Sequence, residues 1–161
     1  MSVAFPAIAR SMEAARTTPD YGPIEFVHSD FTDDYGPMVT DAERPYRSFL
    51  DPLLDAHGLS HDDVDDASRL MVLQWWGNVG PVDADFPLAV CDAESVPSDR
   101  WFTFPRMTSD EVLVLRTYDR ELADEGRAFW TPHSAFRDPH IPDDPSHRRS
   151  SIEARALCIW R

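Results

Sequence analysis

The alternation of apolar and polar positions predicts a chain built mostly from short β-strands. Apolar stretches of strand length recur from Arg69 to the C-terminus, and turns that carry Pro or Gly separate them. Segment 137–149 is too rich in Pro, Asp and His for regular structure and is predicted to be a loop. A series of short strands of this kind is typical of an all-β barrel or sandwich. The predicted strands cover residues 69–76, 86–92, 100–105, 111–118, 127–131 and 151–160.

Three short segments show helical signals and are expected to pack outside the strands. Residues 6–16 place their apolar side chains roughly on one side of a helix. Residues 40–43, TDAE, have the form of a capping box. The apolar stripe that follows over residues 46–54 predicts an amphipathic helix that Pro52 kinks or splits. A second capping signal, over residues 60–63, opens a short acidic turn.

The segment GPIEFVHSDFT, residues 22–32, alternates with period two and is predicted to be a strand. On such a strand His28 and Asp30 point to the same side, so both side chains can reach one metal ion. An imidazole and a carboxylate supply two of the three ligands of a 2-His-1-carboxylate facial triad, which leaves positions on iron(II) open for a cosubstrate and dioxygen. An H-x-D pair is common, so a surface position is the alternative for this pair.

His133 is the candidate for the third ligand. It follows the predicted strand over residues 127–131, in the run AFWTPHSAF. The alternative is a histidine that is simply hydrogen-bonded at the end of a strand. The other histidines lie in acidic or proline-rich segments that are expected to be solvated: His57, His61, His140 and His147.

The last predicted strand has a polar face, which carries Arg149, Ser151, Glu153 and Arg155. A barrel strand that turns such a face inward needs a polar partner inside the barrel. A guanidinium paired with a hydroxyl two residues further on suits a bound carboxylate, through a bidentate pair and one more hydrogen bond. The alternative is an edge strand whose polar face meets water.

Composition narrows the classes of function. The chain has 161 residues, with 15 basic residues against 29 acidic ones and a formal net charge of −14. Every basic residue is Arg. The lack of Lys excludes Schiff-base chemistry and P-loop nucleotide binding, and the negative charge disfavours nucleic acid as a partner. A small or neutral organic substrate fits better.

The chain carries no apolar run long enough to span a bilayer, and its N-terminus lacks the pattern of a signal peptide. Cys91 and Cys158 lie in apolar surroundings, which predicts buried free thiols, with a single disulfide as the alternative. We therefore expect a cytoplasmic protein without membrane contact. We expect one domain over residues 1–161, with an N-terminal extension over 1–23 and a core over 24–161. A homodimer is a further expectation, because dimerisation would cover an apolar edge of the barrel.

Five motifs, in this order, resemble those of the CmcJ/AsaB-like hydroxylase/desaturase family: FVHSDFT, GPVDADFPLAVCDAESV, DEVLVLRTYD, TPHSAFRDP and RRSSIEARAL. The similarity runs from about residue 24 to the C-terminus. The family resembles iron(II)- and 2-oxoglutarate-dependent oxygenases. The resemblance therefore implies a mainly β fold, a double-stranded β-helix of the jelly-roll or cupin-like kind, with a few short flanking helices.

The resemblance also implies a site and an activity. When the family's motifs are matched to this sequence residue by residue, the positions of the iron(II) ligands are occupied by His28, Asp30 and His133. Arg149 and Ser151 match an Arg-x-Ser element that holds the distal carboxylate of 2-oxoglutarate, and Arg155 is a second candidate for that role. The implied enzyme is a dioxygenase, an oxidoreductase that uses dioxygen to hydroxylate or desaturate a small-molecule substrate of secondary metabolism.

The chain departs from the family pattern in two places. Twenty-seven residues precede His28, fewer than in family members, so we expect an open site or one that a second subunit covers. Trp76-Gly77-Asn78 stands where the family has Trp-Arg-Pro, which leaves the substrate class and the use of the cosubstrate open. Two alternatives to a 2-oxoglutarate-dependent oxygenase therefore stay open. One is a cupin-like metalloenzyme with the same ligands but no 2-oxoglutarate, and the other is a non-catalytic small-molecule-binding barrel.

Overall fold

A computed structural model describes residues 2–4, 8–11, 22–95 and 100–161. Over these residues the protein is mainly β with a few short helices, as the sequence predicted. The strands are β1 (Ser2–Ala4), β2 (Ile8–Ser11), β3 (Arg69–Asn78), β4 (Leu88–Cys91), β5 (Trp101–Thr103), β6 (Leu113–Asp119), β7 (His133–Ala135) and β8 (Ser150–Trp160). The α-helices are α1 (Tyr35–Thr40), α2 (Asp51–Ala56), α3 (His61–Asp65) and α4 (Arg120–Asp124), and 3₁₀ turns cover Pro45–Leu50, Ala93–Ser95 and Pro145–His147.

The strands form two antiparallel sheets. The larger sheet has β3 and β8 at its centre, with β6 beside β3 and with β1 and β2 both paired to β8. The smaller sheet has the order β5-β4-β7. Strands β3 and β8 pair from Arg69 opposite Trp160 to Asn78 opposite Ser151, so the end of β3 lies beside the beginning of β8.

Two apolar clusters hold these elements together. The first packs α1, α2 and α3 on one face of the larger sheet, with Leu70, Tyr118 and Leu157 at less than 2% exposure on the sheet side. The second joins the two sheets and consists of Trp76, Leu88, Val90 and Leu115. Full burial of a side chain of this size contributes about 1.5–3 kcal/mol, so the sheet-to-sheet contact is a main stabilising feature around the polar residues described below.

The predicted helix over residues 6–16 is wrong where the structure describes it. Ile8–Ser11 is strand β2, which pairs with residues 150–153 of β8. The backbone groups along the edge of β8 are hydrogen-bond partners for residues 8–11, and this tertiary pairing outweighs a weak helical pattern. Residues 12–16 lie outside the described part of the chain.

The capping signals have different outcomes. The box predicted at residues 40–43 is wrong, because Thr40 ends α1 and its hydroxyl donates to the Gly36 carbonyl at 3.0 Å. The split at Pro52 is confirmed: a 3₁₀ turn gives way to α2 at Asp51, and Pro52 sits in the first turn, where its missing N–H is not needed. The Ser60 capping box is also confirmed.

Two predicted strands are wrong. Residues 22–32, all of which are described, make one isolated bridge, between His28 and His133, and otherwise bend. Phe26 and Val27, which would lie on opposite faces of the predicted strand, are 68% and 55% exposed, so neither side chain has the apolar contacts that a strand within a sheet would give it. Residues 127–131 form no ladder, and the strand begins instead at His133.

Two further predictions, on a loop and on the cysteines, are confirmed. Segment 137–149 is a loop apart from its 3₁₀ turn. Cys91 and Cys158 are buried free thiols. Among the helices of the described residues, none has both the length and the apolar character needed to cross a membrane.

Candidate metal centre

His28, Asp30 and His133 converge on one point. One ligand atom of each lies within 4.8 Å of the others. The backbone bridge between His28 and His133 fixes this arrangement, because it brings the bent segment against the first residue of β7 and leaves the two rings 4.4 Å apart. Asp30 joins them from two residues further along the same bent segment.

Both histidine rings are oriented by a backbone carbonyl two residues earlier. Nδ1 of His28 lies 2.9 Å from the Phe26 oxygen, and Nδ1 of His133 lies 3.0 Å from the Thr131 oxygen. A carbonyl oxygen can only accept, so in each hydrogen bond Nδ1–H donates and Nε2 keeps a lone pair. Metal-binding histidines are held in the same way, by a hydrogen bond from the second ring nitrogen.

Burial also favours the neutral form of His133. Burial lowers the pKa of His133 below its usual value, and the neighbouring His28 lowers it further, against the opposing effects of the Thr131 carbonyl and Asp30. A neutral imidazole is the form that binds a metal.

The two oxygens of Asp30 have different surroundings. Oδ1 lies 2.9 Å from Nη2 of Arg155. Oδ2 is buried, has no hydrogen-bond partner among the described residues, and lies 3.6 Å from Nε2 of His133. A buried acceptor without a partner costs about 1–3 kcal/mol. A cation held by Oδ2 and two Nε2 atoms would remove that cost, so the residues present fit a divalent metal.

Arg149 lies immediately before β8 and is buried at 4% exposure. Its Nε and Nη2 donate to Oγ of Ser151 at 3.2 and 3.1 Å, and Nη1 donates to the Phe86 carbonyl at 3.3 Å. The guanidinium stacks over the Trp76 ring, 5.1 Å from its centre. The Arg-x-Ser pair is thus formed inside the protein, and the polar face of β8 does not meet water at this end.

Buried Asp85 anchors this end of β8. Its Oδ1 accepts the backbone N–H of Arg149 at 2.9 Å, and its Oδ2 accepts from Nη1 of Arg148 at 2.7 Å. Asp85 was not singled out from the sequence, and the acidic run around it gives no signal that would separate it from solvated neighbours.

A small cavity connects the candidate ligands with Arg149. Its wall includes His28, Asp30, His133 and Arg149, together with Trp76, Gln74 and Glu153. A second cavity of about 280 Å³ lies beside it, and Trp76, Leu88 and Arg149 line both cavities. The buried guanidinium of Arg149 and the three candidate ligands therefore line the same small cavity, which has a volume of about 20 Å³.

Arg155 occupies a different place from Arg149. Its Nη2 binds Asp30 and lies 3.5 Å from Oε2 of Glu153, while its Nε donates to Oε1 of Gln74 at 3.1 Å. Gln74 was missed in the sequence, although a polar residue inside the apolar run LMVLQWW is a visible signal. Among the described residues, Arg149 belongs to the wall of the small cavity and Arg155 does not.

Comparisons with known proteins agree with the resemblance seen in the motifs. A family model described as an oxidoreductase/YMDC permease-like domain matches residues 96–159. In sequence the chain is similar to proteins named hydroxylase/desaturase, and in fold it is similar to an iron- and alpha-ketoglutarate-dependent endoperoxidase; alpha-ketoglutarate is another name for 2-oxoglutarate. The predicted family resemblance is thereby confirmed.

The individual matches are partial. Hydroxylase/desaturase efuI of Hormonema carpetanum is 44% identical over 64 residues, or 40% of this chain and 20% of that protein. Hydroxylase/desaturase CTB9 of Cercospora beticola is 28% identical over 125 residues, or 76% of this chain and 36% of that protein. The chain thus spans well under half the length of these relatives. A solved structure of a variant of endoperoxidase NvfI matches with a TM-score of 0.71 at 22% identity, covering 100% of this chain and 60% of that one.

Proposed function

We propose that this protein is an iron(II)- and 2-oxoglutarate-dependent dioxygenase that hydroxylates or desaturates a small organic substrate of secondary metabolism. The observation that carries the proposal is the convergence of His28, Asp30 and His133 around a buried carboxylate oxygen that lacks a hydrogen-bond partner among the described residues. Two imidazoles and one carboxylate are the donor set of non-haem iron(II) oxygenases. The names of the relatives support the same class.

Each residue of the site has a stated task in this proposal. His28, Asp30 and His133 hold the metal through Nε2, Oδ2 and Nε2. Arg149, oriented by Ser151, binds the distal carboxylate of 2-oxoglutarate by a charge-assisted pair. The bound iron supplies the oxidative chemistry, with dioxygen and 2-oxoglutarate as co-reactants. The protein positions these partners in a cavity that Trp76 helps to line.

The finer fold prediction belongs to the same proposal. We infer that the two sheets, joined through Trp76 and Leu115 on one side and Leu88 and Val90 on the other, are the halves of a double-stranded β-helix. The likeness to the NvfI structure supports this arrangement. The β-helix core would cover residues 24–161 within one domain over residues 1–161.

Anaerobic visible spectroscopy of the full chain tests the proposed function. Addition of iron(II) and 2-oxoglutarate to the wild-type protein is expected to give a weak metal-to-ligand charge-transfer band. His133→Ala should abolish the band, because it removes one ligand. His140→Ala is the control: His140 is exposed, lies outside the cluster, and its loss should leave the band unchanged.

Two outcomes would contradict the proposal in different ways. A flat spectrum from protein with demonstrably bound iron would exclude chelation of 2-oxoglutarate and favour the cupin-like alternative. Protein that takes up no iron at all would favour the non-catalytic binding barrel.

A further inference from the structure

Asp30 presents its two carboxylate oxygens unequally, and Arg155 is the cause. Nη2 of Arg155 lies 2.9 Å from Oδ1, while Oδ2 is buried and has no hydrogen-bond partner within the described part of the chain. The side chain of Asp30 is 13% exposed, so neither oxygen can rely on bulk water. The carboxylate is therefore fixed in one orientation, with one oxygen engaged and one available.

Arg155 is in turn fixed by the strand pairing. Gln74 lies directly opposite Arg155 in the β3–β8 register, and its Oε1 accepts from Nε of Arg155 at 3.1 Å. The amide of Gln74 is held at its other end, because Nε2 donates to Oε2 of Glu153 at 3.1 Å. Gln74 is 2% exposed and Glu153 is 7% exposed. Because both ends of the buried Gln74 amide are hydrogen-bonded, the amide has one orientation. Its Oε1 therefore holds the guanidinium of Arg155 in a fixed position.

We propose that Arg155 is a positioning residue that keeps Oδ1 of Asp30 out of metal coordination, so that Asp30 gives the metal one oxygen only. This inference rests on the proposed function for the identity of the metal and the cosubstrate. A carboxylate can bind a metal through one or both oxygens. Coordination by both would occupy one of the positions that the facial triad leaves open for 2-oxoglutarate and dioxygen. Arg155 therefore protects cosubstrate binding without touching the cosubstrate.

Positioning and simple charge repulsion predict different effects of changing Arg155. The positive charge of Arg155 repels a cation, so its removal would by charge alone strengthen metal binding. Positioning depends on the planar guanidinium, which reaches Asp30 and Gln74 at once. Lys keeps the charge but cannot bridge the two residues. Substitution of Gln74 leaves the charge of Arg155 in place but removes the hydrogen bond that orients its guanidinium.

The experiment uses the full chain loaded with cobalt(II), whose visible absorption reports the coordination number without turnover. Spectra and 2-oxoglutarate affinities are compared for the wild type, Arg155→Met, Arg155→Lys and Gln74→Met. Both Met variants should show an altered cobalt spectrum before cosubstrate is added, and a Kd for 2-oxoglutarate raised about tenfold or more, the size of effect that residues behind metal ligands have. Arg155→Lys should alter the spectrum as well, since charge alone does not fix Oδ1.

Arg47→Met is the matched control. Arg47 has a similar side-chain exposure, 15% against 20% for Arg155, and forms a two-point pair with Asp65 away from the metal centre. It should leave the spectrum and the 2-oxoglutarate affinity unchanged. Far-UV circular dichroism establishes that each variant is folded, and if Arg155→Met does not fold, Arg155→Lys and Gln74→Met decide the question.

The outcomes separate this inference from the proposed function. A wild-type cobalt spectrum with wild-type 2-oxoglutarate affinity in the folded Arg155 and Gln74 variants would overturn the positioning role. A cobalt-loaded wild-type protein that binds no 2-oxoglutarate would overturn the proposed function, while the cobalt spectra would still decide the effect of Arg155 on Asp30. A wild-type protein that takes up no cobalt would overturn both.

Discussion

At the residue scale, neighbours determine which atom each candidate ligand presents. The carbonyls of Phe26 and Thr131 hold the Nδ1–H groups of the two histidines, so both rings present Nε2. Arg155 holds one oxygen of Asp30 and leaves the other. Because these orientations exist before a metal arrives, little side-chain freedom is lost when it binds, which favours affinity.

Metal binding at these residues should stabilise the fold. Manganese(II) is a convenient substitute for iron(II), and at 100 times its Kd it should add about 2.7 kcal/mol to the free energy of unfolding. In Asp30→Asn this gain should be almost lost, since the variant lacks the charged ligand oxygen. Thermal unfolding with and without manganese(II) measures the difference.

Asp33→Asn serves as the control for that measurement. Asp33 is exposed and lies three residues beyond Asp30, outside the cluster. Its variant should keep the full gain. An equal gain in Asp30→Asn would show that Asp30 does not bind the metal.

At the residue scale, the sequence predicted that His28 and Asp30 point to one place, and their ligand atoms do converge although the predicted strand is absent. Gln74 was missed because its hydrogen bonds are made to residues of β8, and the sequence does not specify which strand lies opposite it. The role of the cluster as a metal site stays a prediction.

At the scale of elements, a close approach between Gly80 and the beginning of β8 positions Arg149. The Val79 N–H donates to the Ser150 carbonyl at 2.9 Å. A Cβ at Gly80 would lie 2.8 Å from the backbone nitrogen of Ser150. Backbone atoms cannot move aside as a flexible side chain can, so Gly80 is required by this packing.

Gly80→Ala should therefore displace the first residues of β8. We expect a loss of about 1–3 kcal/mol in the free energy of unfolding, the usual cost of a forced backbone shift. The affinity for 2-oxoglutarate should fall as well, because Arg149 moves with the strand. Urea unfolding and a cosubstrate titration measure the two effects.

Gly77→Ala is the comparison for Gly80→Ala. The nearest atoms to a Cβ at Gly77, in Glu111 and Ile152, are both 3.8 Å away, which is an ordinary contact distance. This variant should change stability by less than about 1 kcal/mol. Equal losses in the two variants, or none in Gly80→Ala, would contradict the proposed role of the close approach.

The sequence predicts a strand correctly where the apolar residues of the segment itself mark the face that becomes buried. Strands β3, β6 and β8 lie close to their predicted bounds, and β3 alternates buried and partly buried positions over its first seven residues. Residues 22–32 and 127–131 have strand-like composition but no ladder partner beyond the one bridge at His28. A ladder is a tertiary feature, and composition alone does not predict which segments obtain one.

At the scale of the whole molecule, the site exists because distant segments meet. Gln74 on β3 binds Glu153 on β8, 79 positions later in the chain. The bridge from His28 to His133 joins the bent segment to the smaller sheet. The sequence predicted a mainly β fold with short outer helices, but not this strand order, since many orders bury the same apolar faces.

The proposed function depends on one metal ion held by His28, Asp30 and His133. Anomalous diffraction from crystals of the full chain grown with manganese(II) would locate that ion. One peak is expected, about 2.2 Å from Nε2 of His28, Nε2 of His133 and Oδ2 of Asp30. A peak bound to other residues, or no peak at this cluster, would contradict the proposed function.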